Sequence, residues 1–364
     1  MRRIVGQVTP EITRFIGSNP LDKNNAYPIP SYRELVEHIA KLAYLNKDHL
    51  LFFRGQGVDY RSQAGASTFY PSIYRGNYVR QIEIIRRFEL LDHAARKLKD
   101  VFRKHQIPGH EELVWKRYIQ WGVLQHYQVC QTPLFDLTHS LRVACSFAQL
   151  FAQHDSCFVY VFGLPYVTNR ISHHSEHDIV NIRLLSICPP QALRPHFQEG
   201  YLSGTEDITS EYDSKDKLDF RNRLIAKFSI PASNIFWGKG FSRIPENVLF
   251  PENDRIEQVC REIKTELKSQ LLPGQLGIFI QEWSDLENLL LSRTRDSEQR
   301  VFTITEAIKV ALEKGLIDHD QFLKIDEIRK FRNLVVHQPK KISQSKIEEK
   351  IREVKDIKIK MPDK

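Results

Sequence analysis

The sequence predicts an α+β N-terminal domain followed by an all-α helical C-terminal domain. Short apolar runs stopped by glycine or proline, such as Leu50-Phe53 and Cys157-Phe162, alternate with helix-period segments as far as Leu249-Phe250-Pro251. Past that proline the apolar spacing turns wholly helical, which favours a bundle over further strands. A chain of 364 residues is also too long for one ordinary core, so two domains are the natural division. The expected boundaries are an arm over residues 1–30, an α+β domain over 31–255, and a helical domain with a basic tail over 256–364.

Each element has a local reason. Residues 1–30 are polar and interrupted by prolines, and read as an arm leading into the fold. Ser31 followed by Glu34 is a capping-box pattern, opening a helix with Leu35, Ile39, Leu42 and Ala43 on its apolar face. Leu50-Leu51-Phe52-Phe53 is a buried strand stopped by Gly55. A long amphipathic helix rich in Arg and Lys covers 79–104, and further helices cover 113–127 and 139–152. Cys157-Phe162 is a strand ended by Gly163-Leu164-Pro165, and Ile182-Ile187 is the next, closed by Pro189-Pro190. The stretch 203–219 is acidic and polar and reads as an exposed loop, before a late strand from Leu224 to Ile230. Beyond Lys340 the tail alternates Lys and Glu, the pattern of a solvated helix face.

Composition narrows the class. Hydrophobic residues at 41% and aromatics at 10% are enough to fill two cores, which excludes a disordered chain. A net charge of +8 suits an anionic partner such as RNA, DNA or a nucleotide. The five cysteines are scattered, odd in number and never spaced Cys-x-x-Cys, so a reducing compartment is expected. No apolar run follows the basic start Met1-Arg2-Arg3, and none is long enough to span a bilayer. A soluble, cytoplasmic protein without a membrane partner is expected.

Phe53-Arg54-Gly55-Gln56 places an arginine at the end of a buried strand, with Gly55 and Gly57 clearing space around it. A planar cationic fork there suits a phosphate or a carboxylate. Further blocks follow: Tyr70-Pro71-Ser72-Ile73-Tyr74-Arg75, Gln125-His126-Tyr127, Thr132-Pro133-Leu134-Phe135-Asp136-Leu137-Thr138, Ala144-Cys145-Ser146-Phe147-Ala148, and Arg194-Pro195-His196-Phe197-Gln198-Glu199-Gly200. In this order and spacing, over about residues 30–255, they resemble the FRG domain, named for its Phe-Arg-Gly signature. Family members usually carry Gly-Leu-Pro-Thr-Arg after the Gln-His-Tyr block, where this chain has Gln128-Val129-Cys130-Gln131-Thr132. They also tend to carry Trp where Leu137 stands. The resemblance implies a pocket formed by Arg54, Gln56, Asp136, Thr138, Gln198 and Glu199. The block order also looks like the scaffold of NAD-dependent ADP-ribosyltransferases, which makes NAD the implied cofactor, with Arg54, Thr138 and Glu199 in the functional positions. A buried ion-pair network of Arg54, Asp136 and Glu199 is the bland alternative.

His173-His174-Ser175-Glu176-His177 has metal-ligating side chains, and His173 and His177 would share a face in a helix. Ser and Asp nearby favour a solvated loop, and no metal is expected. Gly-rich phosphate loops and a Ser-His-Asp elbow do not occur in the sequence.

Near the C-terminus the chain reads Lys330-Phe331-Arg332-Asn333-Leu334-Val335-Val336-His337-Gln338-Pro339. Arg332 can hold a phosphate and His337 can move protons near neutrality. On a helix Asn333 and His337 share a face, while Arg332 lies about 140° from His337, so convergence asks for a distorted helix end or a second copy across a two-fold axis. Arg-polar-x-x-x-His in a late helical region resembles the HEPN superfamily over about residues 257–355, with Trp283-Leu290 in the long preceding helix. The resemblance implies a metal-independent ribonuclease in which Arg332 neutralises phosphate, His337 handles protons and Asn333 orients the scissile group, with no cofactor. It further implies RNA as partner, homodimerisation through the C-terminal helices, and a role in prokaryotic antiviral defence or as a toxin. Two other readings stay open: an ADP-ribosyltransferase centred on Arg54 and Glu199, and a non-catalytic nucleotide- or partner-binding protein.

Overall fold

In the computed structural model of the protein, the described residues are 1–76, 79, 81–206, 208, 214–271, 275–294, 303–337 and 344–361. The chain forms two compact units, Met1–Lys264 and Thr265–Lys364. In order, the first contains α1 (Pro10–Ile16), β1 (Tyr27–Pro28), α2 (Tyr32–Leu45), β2 (Leu50–Gln56), α3 (Gln81–Lys104), α4 (His110–Trp115), α5 (Arg117–His126), β3 (Phe135–Thr138), α6 (Leu141–Leu150) and β4 (Ser156–Leu164). It continues with β5 (Ile171–His174), β6 (Ile179–Arg183), α7 (Leu184–Ile187), α8 (Arg194–Gln198), β7 (Gly200–Gly204), β8 (Leu224–Pro231) and α9 (Glu246–Leu249). α10 (Arg255–Leu271) begins in this unit and runs into the second, which holds α11 (Gln275–Thr294), α12 (Ile304–Glu313), α13 (His319–His337) and α14 (Gln344–Lys360).

The strands form one mixed eight-stranded sheet in the order β1-β8-β4-β2-β3-β7-β6-β5, with β1 parallel to β8 and the other pairings antiparallel. The central strands are apolar without a break because both of their faces are covered. Cys157, Val159 and Val161 of β4 join one core with Leu51, Phe53 and the α6 residues Ala144 and Ala148. Tyr160 and Phe162 join a second core with Phe52, Phe69, Phe135 and Phe220. The side-chain alternation of a strand thus feeds two cores from one continuous run.

Residues 1–30 are built into the fold and are not an arm. Ile12 is buried in the first core, Ile4, Val8 and Ile16 pack against it, and β1 adds a strand to β8. Their four-residue spacing is diluted by polar neighbours, so no apolar run announces them. Three other expectations shift. The helix over 113–127 breaks at Lys116, whose backbone is extended. The strand expected over 182–187 ends at Arg183, and Leu184 and Ile187 turn inward from a single helical turn. β2 does not stop at Gly55, which pairs with Val159 inside the ladder.

Among the described residues the second unit is wholly helical. Phe279, Trp283, Leu286 and Leu290 form the buried stripe of α11, spaced by three and four residues as a helix face requires. They meet Ala307, Ile308 and Ala311 of α12, Ile325, Ile328, Phe331 and Val335 of α13, and Ile351 and Val354 of α14. Lys350 lies buried between Glu327 and Glu353, each at 2.8 Å. No helix among the described residues is long and apolar enough to cross a membrane.

Candidate ligand-binding cleft

The first unit's sheet opens where β2 and β3 part. β2 pairs with β4 over its whole length but meets β3 at a single position, Phe53 opposite Thr138. Past that pair the edge of β2 from Arg54 to Gln56 meets no further strand among the described residues, and it lines a cleft of about 1320 Å³. Arg54 takes over where the backbone ladder stops: its Nη1 donates to the carbonyl of Asp136 at 2.7 Å, and its guanidinium lies 4.4 Å above the Phe135 ring. The side chain is only partly exposed, and its Nε has no hydrogen-bond partner among the described residues. Burial, and then the positive charge of Arg75, push its pKa down to about 10, against the pull of Asp136. At that value the guanidinium keeps its charge at neutral pH.

The Asp136 carboxyl does not hydrogen-bond Arg54. It accepts from Gln125 Nε2 at 2.5 Å, and burial raises its pKa despite the nearby guanidinium. Gln125 Oε1 in turn accepts from the hydroxyls of Thr132 and Ser72, and Ser72 Oγ receives Thr132 N at 2.9 Å. This chain ties the 70–75 segment, α5 and β3 into one cleft wall. The rest of the Gln-His-Tyr block is structural. Burial, with the Arg194 charge second, lowers the His126 pKa to about 3, so its ring is neutral. Tyr127 donates to Asp254 at 2.9 Å, and Asp254 also caps the start of α10 through Ile256 N and Glu257 N.

Of the six residues expected to share a pocket, Arg54, Gln56, Asp136, Thr138 and Gln198 line this cleft. The Thr138 hydroxyl donates to the carbonyls of Gln198 and Glu199, at 2.8 and 3.2 Å, and locks β3 to the end of α8. Gln198 is anchored to the Leu249 carbonyl at 2.8 Å. Glu199 stands apart. Its backbone is left-handed (φ 44°) where α8 ends, its side chain is exposed, and only its carbonyl reaches Thr138. Arg54, Asp136 and Glu199 therefore do not form a buried ion-pair network.

The glycines beside Arg54 serve the opposite face. A Cβ on Gly55 would lie 1.8 Å from the Ala144 carbonyl oxygen, and one on Gly57 would lie 1.6 Å from that of Phe151. Both admit α6 against β2 and do not clear room for the arginine. α6 brings Phe147 to the cleft, stacked on Phe151 at 6.2 Å and met edge-on by Phe250 at 5.8 Å. Across the opening stand Arg61, Arg75, Lys215 and Arg221, with the Lys215 ammonium 4.7 Å over the Tyr70 ring. Arg221 is paired with Asp216 at 2.6 Å and Arg61 with Asp59 at 2.8 Å. With Arg54 the described lining holds five cations against two carboxylates, Asp136 and Asp216, while Asp59 behind Arg61 and Asp22 and Asp219 behind Arg221 offset part of that charge. Gln125, Arg75, Lys215 and Arg221 were not singled out from sequence. Only the Tyr70-Arg75 and Gln125-Tyr127 blocks hinted at the first two.

In the helical unit, Arg332 is half-buried and donates to the exposed Asn333 Oδ1 at 3.2 Å. His337 is the last residue of α13; its side chain, with Gln338 and Pro339, lies outside the described residues. Nearby carboxylates are engaged by other cations: Asp326 by Arg329 at 2.7 Å and Lys330 at 2.9 Å, and Glu327 by Lys350. The histidine segment is an edge hairpin and not a helix or open loop. His173 and His174 end β5, His173 sits 3.8 Å from Glu206, and His177 Nδ1 sits 3.4 Å from Arg223. Among the described residues no group of three His, Cys, Asp or Glu side chains is placed to hold a metal ion. Compared with protein-family models, curated proteins and solved structures, the chain matches none.

Proposed function

We propose that the Arg54 cleft binds a phosphorylated ligand of the nucleotide class. One observation carries the reading. Arg54 is a charged guanidinium set deep in the cleft, its one hydrogen bond among the described residues goes to a backbone carbonyl, and the Asp136 carboxyl is engaged by Gln125. A desolvated cation left in that condition is costly unless an anion completes it. The phenylalanine wall and the cationic side chains Arg75 and Lys215 across the opening support a ligand that joins a flat ring to phosphate. Titration calorimetry with adenosine and guanosine nucleotides, NAD and inorganic phosphate tests this. Arg54→Gln should weaken nucleotide binding by about tenfold or more, the loss of one charge-assisted contact. Equal affinity in wild type and variant would defeat the reading. The ADP-ribosyltransferase alternative has NAD as its cofactor in this cleft, but it lacks a lining carboxylate at Glu199.

A second reading concerns the helical unit. We infer that the chain pairs an FRG-like domain with a HEPN-like effector, a defence or toxin arrangement, and that Arg332, Asn333 and His337 cleave RNA. The supporting observation is the Arg332–Asn333 hydrogen bond in a helix whose last residue is His337. The 2′-hydroxyl attacks phosphorus, the 5′-oxygen leaves and takes a proton, and a 2′,3′-cyclic phosphate remains; arginine and histidine do this without metal. Cleavage should survive EDTA and disappear in His337→Ala. Wild-type cleavage by that variant, or a strict magnesium requirement, would end the assignment. Homodimerisation through the C-terminal helices belongs to this proposal, and sedimentation of the full chain at micromolar concentration checks it.

A further inference from the structure

Gln56 ends β2, two residues beyond Arg54. The two side chains therefore leave the strand on one face, about 7 Å apart along it. Both line the cleft and both are partly exposed. Among the described residues each also holds an unsatisfied atom: the Nε of Arg54 wants an acceptor, and the Oε1 of Gln56 wants a donor. The requirement at the second position is specific. A phosphate oxygen accepts only, so it can complete Arg54 but not the Gln56 carbonyl. A hydroxyl both donates and accepts, and satisfies the Gln56 amide whichever way it is turned. An anion next to a hydroxyl, spaced by about one sugar ring, is the chemistry of a sugar phosphate.

We propose that Gln56 reads a ribose hydroxyl of the nucleotide whose phosphate sits on Arg54, making it the residue that distinguishes ribonucleotides from their deoxy counterparts. This rests on the nucleotide reading of the cleft. A ribose hydroxyl gives the Gln56 oxygen a donor once the partly exposed amide turns toward it, whereas a ligand lacking the hydroxyl leaves that oxygen unpaired. Across the cleft the Thr138 proton is already given to the Gln198 and Glu199 carbonyls, and the Gln198 amide nitrogen to the Leu249 carbonyl.

The test uses the full chain and calorimetry with the 5′-monophosphates of adenosine, guanosine, cytidine and uridine, each beside its 2′-deoxy and 3′-deoxy analogue. At least one deoxy series should bind about tenfold more weakly than the parent. Gln56→Met keeps the volume of the side chain and should bind parent and analogue alike. Gln56→Glu keeps the acceptor, so it should weaken every ligand by repelling phosphate yet retain the parent-to-analogue ratio. Discrimination that survives in Gln56→Met, or wild-type protein that binds both deoxy series as well as the parents, overturns the inference and leaves the cleft reading standing. Failure of every nucleotide to bind overturns both.

Discussion

Gly55→Ala should damage the first unit far more than a buried glycine-to-alanine change normally does. The added Cβ lies 1.8 Å from the Ala144 carbonyl oxygen and 2.7 Å from the Ala148 amide nitrogen, whereas ordinary contact begins at 3.4 Å. α6 must then retreat from β2 by about 1.6 Å, the difference between 3.4 and 1.8 Å. Both obstructing atoms are main chain, so no side chain can rotate aside. Retreat opens a gap along Phe53, Ala144, Cys145 and Ala148, all buried in one core, and a gap of that width forfeits much of the dispersion energy on both sides. Overpacking usually costs about 1–3 kcal/mol, and the rigid obstruction places this variant at about 3 kcal/mol or above. For a unit of this size that corresponds to a fall in Tm of about 6–12 °C. Gly65→Ala is the control: it has a left-handed φ of 78° but nothing within 4 Å, and should cost about 1 kcal/mol. Thermal unfolding followed by circular dichroism reads both. A Gly55→Ala protein within about 1 kcal/mol of wild type would refute the close-approach account of the Arg-Gly pair.

Two further outcomes follow from buried charge. Lys227 is fully buried and bonds Asp59 at 3.2 Å, Ser67 at 3.0 Å and the Asn24 carbonyl at 2.6 Å, pinning the loop that carries Tyr60 and Arg61 to the cleft. Lys227→Met should cost about 3 kcal/mol, the low end for breaking a buried pair, because Arg61 and Tyr160 still bond Asp59. Lys227→Met with Asp59→Asn removes the unpaired charge while keeping an acceptor for Ser67 and Tyr160, so it should recover part of that loss in urea titrations, and a neutral single variant would show that the pair holds nothing. The folded pKa of His126, about 3, lies below its ordinary 6.5, so on acidification the unfolded chain takes the proton first. The stabilising contribution is complete above about pH 6.5 and drains by about 1.4 kcal/mol per pH unit as pH falls toward the folded value. His126→Asn should flatten that slope between pH 6 and 4 in denaturant titrations, and an unchanged slope would assign the acid lability to other groups.

Elements whose residues explain themselves locally were legible. Leu50-Phe53 and Cys157-Phe162 are strands because an unbroken apolar run needs two covered faces, and Ser31 does cap α2 through Glu34 N. The Trp283 stripe marks a helix in a helical unit for the same local reason. The Phe-Arg-Gly-Gln segment and the blocks around Asp136, Thr138 and Gln198 also held five residues that share the cleft. The rest depends on contacts between residues far apart in sequence. Ile4, Val8 and Ile12 enter the core only because β8 and α2 offer a groove, and no run of their own predicts it. Gly55 looks like a residue that frees an arginine until α6 is seen on its other side. Glu199 matched a motif, but the left-handed backbone at the end of α8 turns its side chain out to solvent. The opening of the sheet past Phe53 and Thr138, which makes the cleft, is a failure of pairing between strands some eighty residues apart. Periodicity reports which way each side chain faces, because that is set by the backbone's own geometry. Which strand stops pairing with which, and what stands across the gap, is decided only when the whole chain closes.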